Sequence, residues 1–474
     1  MEETTPVTAA AALSAALAFL TLAGLAALIA FACVGRLVRP LHLAIGWATA
    51  VAMWAVGYFC MMGPGLVVGE VLAVLELAII VFGGFLAARY TGAPRSGVVV
   101  GTVSAVANLL VVGSLFGKGS DGSLLPTAAA WVIGLFGVSG ALGWFGGTLG
   151  ARRPKPTTSD DPLELFSRVA AKTVLLLIIT GGLVTGLQAG LAVPDWPNSF
   201  GHNMLLYPLA QMKEGVYYEH AHRLFGTLVG LTTIVLVAMV WRLDARRWTR
   251  VFSLALLLAV VAQGLMGALR VTGTFTLSTD RAVMVPSAAW GVVHAVFGQL
   301  VFAAFCAMLC AQAPRWRSAE PAAAVASGAK DIRWTTILLP VLLVQLVIGA
   351  LYRQLGVLDE AGVPQHPVWA IHAHITMAFI VLGVGGHAVL RGLRQPPERE
   401  VIRRYGGGFG LLLLVQVMLG FTSWMLMLAR KTPEPPISEV IFTTAHQAIG
   451  AVLLGLATAM ALWMRRLVRP GAVA

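Results

Sequence analysis

Residues 219–223 read EHAHR and residues 371–375 read IHAHI, 152 positions further on. The same interval separates His294-Ala-Val-Phe-Gly298 from His446-Gln-Ala-Ile-Gly450, and 153 positions separate Gln263-Gly-Leu-Met-Gly267 from Gln416-Val-Met-Leu-Gly420. Three matches in one register mark an internal duplication. Each copy holds four apolar runs, within 171–312 and 335–464. An even number of crossings leaves both copies in one orientation, related by a pseudo-twofold axis along a membrane normal. The expected architecture for this part is an eight-helix bundle made of two tandem four-helix repeats.

Composition sets the class. Apolar residues make up 58% of the 474-residue chain and charged residues 11%, with a mean hydropathy of +0.82. Soluble domains carry about 25% charged residues. A bilayer core needs about 20 apolar residues per helix, and such runs recur at 9–34, 41–62, 66–88, 96–117, 126–150, 171–192, 219–241, 251–269, 288–312, 335–352, 369–390, 405–428 and 440–464. The expectation is an all-α integral membrane protein with about 13 transmembrane helices, because helices satisfy their own backbone in lipid. The acidic start MEETTPVTAA precedes an apolar run too long for a signal-peptide core, which reads as a retained first helix.

The net charge of +12 is distributed by topology. With the N-terminus outside, 25 of the 33 Lys and Arg residues fall in loops facing the cytoplasm, as the positive-inside rule requires. This places the chain in the inner (cell) membrane as a multi-pass protein, C-terminus cytoplasmic, and argues against a nucleic-acid partner; membrane lipid is the expected surrounding. Cys33, Cys60, Cys306 and Cys310 all lie in apolar runs, so no disulfide framework is indicated.

The Pro-rich, charged stretch ARRPKPTTSDDPL (151–163) marks the main boundary. The expected domains are residues 1–157, a five-helix membrane domain of unassigned function; 158–325, the first four-helix repeat; and 326–474, the second. The N-terminal helices are rich in Gly and Ala and carry two intramembrane acids, Glu70 and Glu76. Such acids are functional candidates by default, although a carboxylate that snorkels or bonds to a neighbour explains them equally well.

Four of the ten histidines recur with the duplication: His222, His294, His374 and His446, each within about two turns of the outer end of its helix. Imidazole inside a bundle binds haem iron or another metal, and it also serves as polar glue between helices. Recurrence of two histidines per copy favours ligation as two bis-histidine pairs. Zinc is disfavoured, since a structural site wants four ligands. Within each HAH triplet, neighbours two apart point about 200° away from each other. Glu219 and His222, three apart, share a face, which selects His222 and, by symmetry, His374 over His220 and His372. His42, His202, His366 and His387 have no repeat partner and read as loop or helix-end residues.

The copies differ at their most telling positions. Glu219 and Arg223 in the first correspond to Ile371 and Ile375 in the second. A carboxylate one turn from a ligand is costly in lipid, so the first half is the candidate for chemistry and the second for a resident electron-transfer haem. The outer segment from Pro194-Asp195-Trp196-Pro197 through Tyr218 belongs only to the first half. It reads either as a cap over the first site or as a solvated loop with a turn.

GLAVPDWP (190–197), EHAHR (219–223), the Gln-x-x-x-Gly third helix and the His-bearing fourth together resemble the haem A synthase family over about 171–466. The resemblance implies oxidation of haem O to haem A, the C8 methyl becoming a formyl group, in support of cytochrome oxidase biogenesis. It implies Glu219 as the essential acid, His222 and His294 as ligands of the substrate haem, and His374 and His446 as ligands of a bound haem b, with both sites near the outer face. Haem O synthase and cytochrome oxidase assembly factors are the implied partners, beside haem O and haem A themselves. The chain departs from the pattern at Val193 and Ser199, where many members carry cysteine, at Ile375, where an arginine is usual, and in its five additional N-terminal helices. A non-catalytic dihaem b-type electron-transfer protein and a transporter are the competing classes. The topology makes one direct prediction: a C-terminal fluorescent fusion is bright and a C-terminal alkaline phosphatase fusion inactive, while phosphatase inserted within 198–213 is active.

Overall fold

The computed structural model describes residues 26, 28–62, 67–115, 124–154, 161–271, 288–318, 323–360 and 363–471. Among them, twelve helices are long and apolar enough to cross a membrane, and the chain is an all-α membrane protein. They are α1 (Pro40–Met61), α2 (Gly69–Thr91), α3 (Arg95–Val112), α4 (Ala128–Ala151), α5 (Pro162–Gly186), α6 (Glu214–Leu243), α7 (Arg247–Val271), α8 (Ala288–Gln312), α9 (Gly328–Gln354), α10 (Val368–Leu393), α11 (Glu400–Ala429) and α12 (Ile437–Leu467). The expected first span, 9–34, lies outside the described residues except at its end; the other twelve expected spans each correspond to one helix.

Helix ends follow local chemistry more closely than hydropathy does. α5 begins nine residues before its apolar run, because the Asp161 carboxylate accepts the backbone N–H groups of Leu163 and Glu164 at 2.9 and 3.0 Å, with Pro162 in the first turn. It stops at Gly186, short of Leu187-Gln188-Ala189, where Gln188 takes a φ of 57°. α6 likewise starts at Glu214, five residues before its apolar run.

The chain forms two compact units. The first comprises residues 1–169, 195–209 and 227–257. Its helices approach to backbone contact. Gly101 faces the carbonyl of Ser139, Gly146 that of Val81, and Gly150 that of Phe85, leaving no room for a Cβ. Small residues allow such packing where lipid supplies no hydrophobic drive between helices. Trp47 of α1 donates its indole N–H to Thr232 of α6 at 2.8 Å and packs on Phe166 of α5. At the other end of α3, Gly113 abuts the carbonyl of Leu205. Glu76 lies against Gly57 of α1.

The second unit comprises 170–194, 210–226 and 258–474. A core cluster in it joins α8 to α12 through Cys310, Leu338, Val381, Ile402, Phe409 and Trp463, all nearly inaccessible. A parallel pairing of Ala323–Val325 with Val468–Pro470 ties the chain's last strand to the segment before α9. The structure predicts that Gly146→Val, which drives a side chain into the α2 backbone, costs about 1–3 kcal/mol or more. Thermal melting of the detergent-purified chain, followed by size-exclusion chromatography, measures the loss.

Candidate histidine-pair sites

The four recurrent histidines sit in the first three turns of α6, α8, α10 and α12, and each ring rests on a glycine of the preceding helix. A Cβ placed on Gly181 would lie 2.9 Å from Cε1 of His222; on Gly267, 3.2 Å from that of His294; on Gly349, 2.9 Å from that of His374; and on Gly420, 2.8 Å from that of His446. Any larger residue would push the ring away. Polar groups sit beside the glycines. Thr180 Oγ1 lies 2.9 Å from His222 Nδ1, and Gln263 donates to the His294 carbonyl at 2.9 Å. The Gln345 amide nitrogen lies 3.1 Å from His374 Nε2, and that of Gln416 lies 3.4 Å from His446 Nε2.

The structure brings His374 and His446 together, with ring centroids 6.2 Å apart and planes at 68°. That separation suits two imidazoles reaching one ion between them, given a metal–nitrogen bond of about 2 Å on each side. The Nδ1 atoms of His294 and His446 are buried with no partner among the described residues, while all four histidines remain partly accessible. His222 and His294 are close enough to interact electrostatically. Rings seated on glycine, partly accessible and grouped in twos are the donor set that a haem iron would need, His374 with His446 by ring separation and His222 with His294 by electrostatic proximity. Among the described residues no three His, Cys, Asp or Glu side chains converge as an ion site.

Glu219 occupies a different environment from the histidines. Its side chain is 5% exposed and paired with Arg223 at 2.8 Å. The other carboxylate oxygen accepts the Val193 N–H at 2.9 Å, and Arg223 donates to the Val193 carbonyl at 2.7 Å. The pair thus grips the backbone immediately before Pro194. Past that proline, Asp195 accepts the N–H groups of Phe200 and Gly201 at 2.7 and 2.8 Å. Tyr207 stacks on Phe200 and meets His202 edge-on; burial and the nearby Asp195 hold its hydroxyl above the ordinary phenol range. The PDWP segment is therefore a closed turn. Val193 and Ser199, which stand where cysteines are common in the family resembled, are both fully buried.

Of the remaining histidines, His220 is buried and His372 exposed. His202 and His366 lie in connecting segments, His42 at the start of α1 and His387 near the end of α10. Sequence reasoning missed the seats Gly181 and Gly349. The second was available: Gln345-Leu-Val-Ile-Gly349 repeats the Gln-x-x-x-Gly spacing of 263–267 and 416–420. It went unmatched because Leu177 replaces the glutamine beside Gly181. Gly349→Val is predicted to displace His374 and remove the haem of that pair while sparing the other. Gly383→Val, on α10 with His374 itself and with open space around it, is the control, and the pyridine haemochrome of the purified full chain is the readout.

No curated protein matches the chain. A family model described as cytochrome oxidase assembly protein, COX15-CtaA, matches residues 201–460, a stretch containing Glu219 and all four histidines. The matched stretch is more than half of the chain, and the chain belongs to the COX15-CtaA family of cytochrome oxidase assembly proteins, the haem A synthase family.

Proposed function

We propose that this protein is a haem A synthase, oxidising the C8 methyl of haem O to a formyl group for cytochrome oxidase biogenesis. The observation that carries this reading is the asymmetry between the pairs: only the first has a buried carboxylate–guanidinium couple, Glu219 with Arg223, one turn from a histidine. Its counterparts Ile371 and Ile375 are apolar. Substrate haem O is held by His222 and His294. His374 and His446 hold a haem b, which supplies one-electron transfer when bound.

The chain's own residues account for the rest. The four glycine seats restrict where each imidazole can swing, so the ligands are positioned by backbone contact. Glu219 is the proton-accepting carboxylate of the reaction. Lodged in a low-dielectric setting, its carboxylate can accept protons released as an external oxidant, which takes the electrons from the methyl group, converts it to the formyl group. Arg223 is a positioning residue that fixes Glu219 and balances its charge at rest. Glu219 and Arg223 together fix the backbone at Val193, immediately before the PDWP segment. We assign residues 158–325 to the substrate half, 326–474 to the haem b half and the duplication to a tandem origin. The sites lie near the outer face of the inner membrane, and haem O synthase is the natural neighbour.

The test is to express the full chain with a haem O supply in a host that makes no haem A. Haems from the purified protein and from the membranes are then separated by chromatography with mass detection. Haem A is expected with the intact chain. Glu219→Gln is expected to retain bound haem and lose product by about 10²-fold or more. Full activity in that variant removes the role given to Glu219. Haem b alone at both pairs, with no haem A formed, identifies a dihaem electron-transfer protein instead.

A further inference from the structure

The second histidine pair has a charged cluster of its own that no repeat symmetry foretells. Arg430, at the end of α11, pairs with Glu439 in the first turn of α12 at 3.3 Å, their side chains 6% and 2% exposed. Arg353, in the last turn of α9, donates to the Thr185 carbonyl at 3.2 Å. The charged groups that act on Arg353 are Glu439 and Arg430. Two guanidinium groups therefore share one carboxylate, and that carboxylate is already engaged by Arg430. His366, beside Tyr352 with its Nδ1 2.9 Å from the Tyr352 carbonyl, adds no charge, since burial and the Arg353 guanidinium hold its imidazole below the usual range. The cluster carries one positive charge in excess.

An unbalanced guanidinium is costly in a low-dielectric setting unless an anion joins it. The position of the excess identifies the anion. Arg353 follows Gly349, the seat of His374, by one turn on the same helix face, and Glu439 precedes His446 by seven residues, again on one face. These offsets put the cluster about 6–10 Å along the helix axes from the histidine pair, on the side of the helix ends. Arginine presents a planar fork matched to a carboxylate, and a porphyrin whose iron lies between His374 and His446 carries carboxylates at its rim.

We infer that Arg353, braced by Thr185 and flanked by the Arg430–Glu439 pair, is the seat for a propionate carboxylate of the haem held by His374 and His446. This rests on the haem reading of that pair and adds to it the group that sets the porphyrin's rotation in its cleft. Arg353 binds the ligand edge, and Arg430 keeps Glu439 from neutralising it.

The experiment compares protohaem with its dimethyl ester, in which both propionates are blocked. Each is titrated into the full-length chain purified in detergent from haem-depleted cells, and the absorbance lost in His374→Leu defines the second pair. The expected result is binding of the free acid about ten- to hundredfold tighter than the ester, with the preference erased in Arg353→Leu. Arg353→Lys, which keeps the charge without the fork, should retain part of it. Equal, His374-dependent binding of acid and ester overturns the propionate seat while leaving the haem pair intact, and is what a lipid phosphate at Arg353 would produce. A preference that survives in Arg353→Leu also overturns it. Absence of any His374-dependent binding defeats the haem reading and the seat together. The comparison on the unaltered chain needs no variant to fold.

Discussion

The contact of a histidine ring with a backbone that lacks a Cβ, made four times in one part of the chain, sets the geometry around it. Helix association in a bilayer draws little from the hydrophobic effect and depends on how closely surfaces fit. Gly181, Gly267, Gly349 and Gly420 let α6, α8, α10 and α12 bring their imidazoles directly onto a neighbour's backbone. A ring so supported meets the neighbouring backbone through its Cε1 edge and cannot swing further toward it. The flanking glutamines serve the same end from the side: Gln263, Gln345 and Gln416 each stand one turn before their glycine and reach the histidine of the next helix.

Buried charge lies beside both pairs, and its placement differs between them. At the first, Glu219 and Arg223 turn toward the backbone of Val193 and tie the start of the PDWP segment to α6. At the second, Arg353, Arg430 and Glu439 come from three separate helices and leave a positive charge over. Buried charges of this kind are expensive, and their cost is recovered only through partners. At each pair a single carboxylate serves two arginines, Glu219 with Arg223 and Arg270 at the first and Glu439 with Arg430 and Arg353 at the second.

The helices before residue 157 interact with more than each other. Within the first compact unit Trp47 bonds to Thr232, and Gly113 meets Leu205, so residues of the family-matched stretch 201–460 share a packing unit with the additional helices. Their own interior is held by glycine-to-carbonyl contacts of the kind that tolerates almost no side-chain enlargement.

Helices were legible in the sequence because a spanning helix must satisfy its backbone internally and shed nearly all charge over some 20 residues; EHAHR, IHAHI and the spacing of His294 and His446 likewise singled out the ligand candidates before any coordinates. What a one-dimensional reading could not supply is contact between residues far apart in the chain. Gly181 beside Leu177 carries no motif, and it becomes a histidine seat only because α5 and α6 lie side by side. Arg353 lies at an outer helix end, where the sequence allowed a haem propionate or snorkelling to the headgroups equally, and nothing in the sequence joined it to Arg430 and Glu439, as many as 86 positions away. Periodicity and hydropathy depend on neighbours along the chain and determined the class, the spans and the histidine pattern of this protein. The balance of buried charge and the room around a ring depend on distances across helices, and only the tertiary structure decided those.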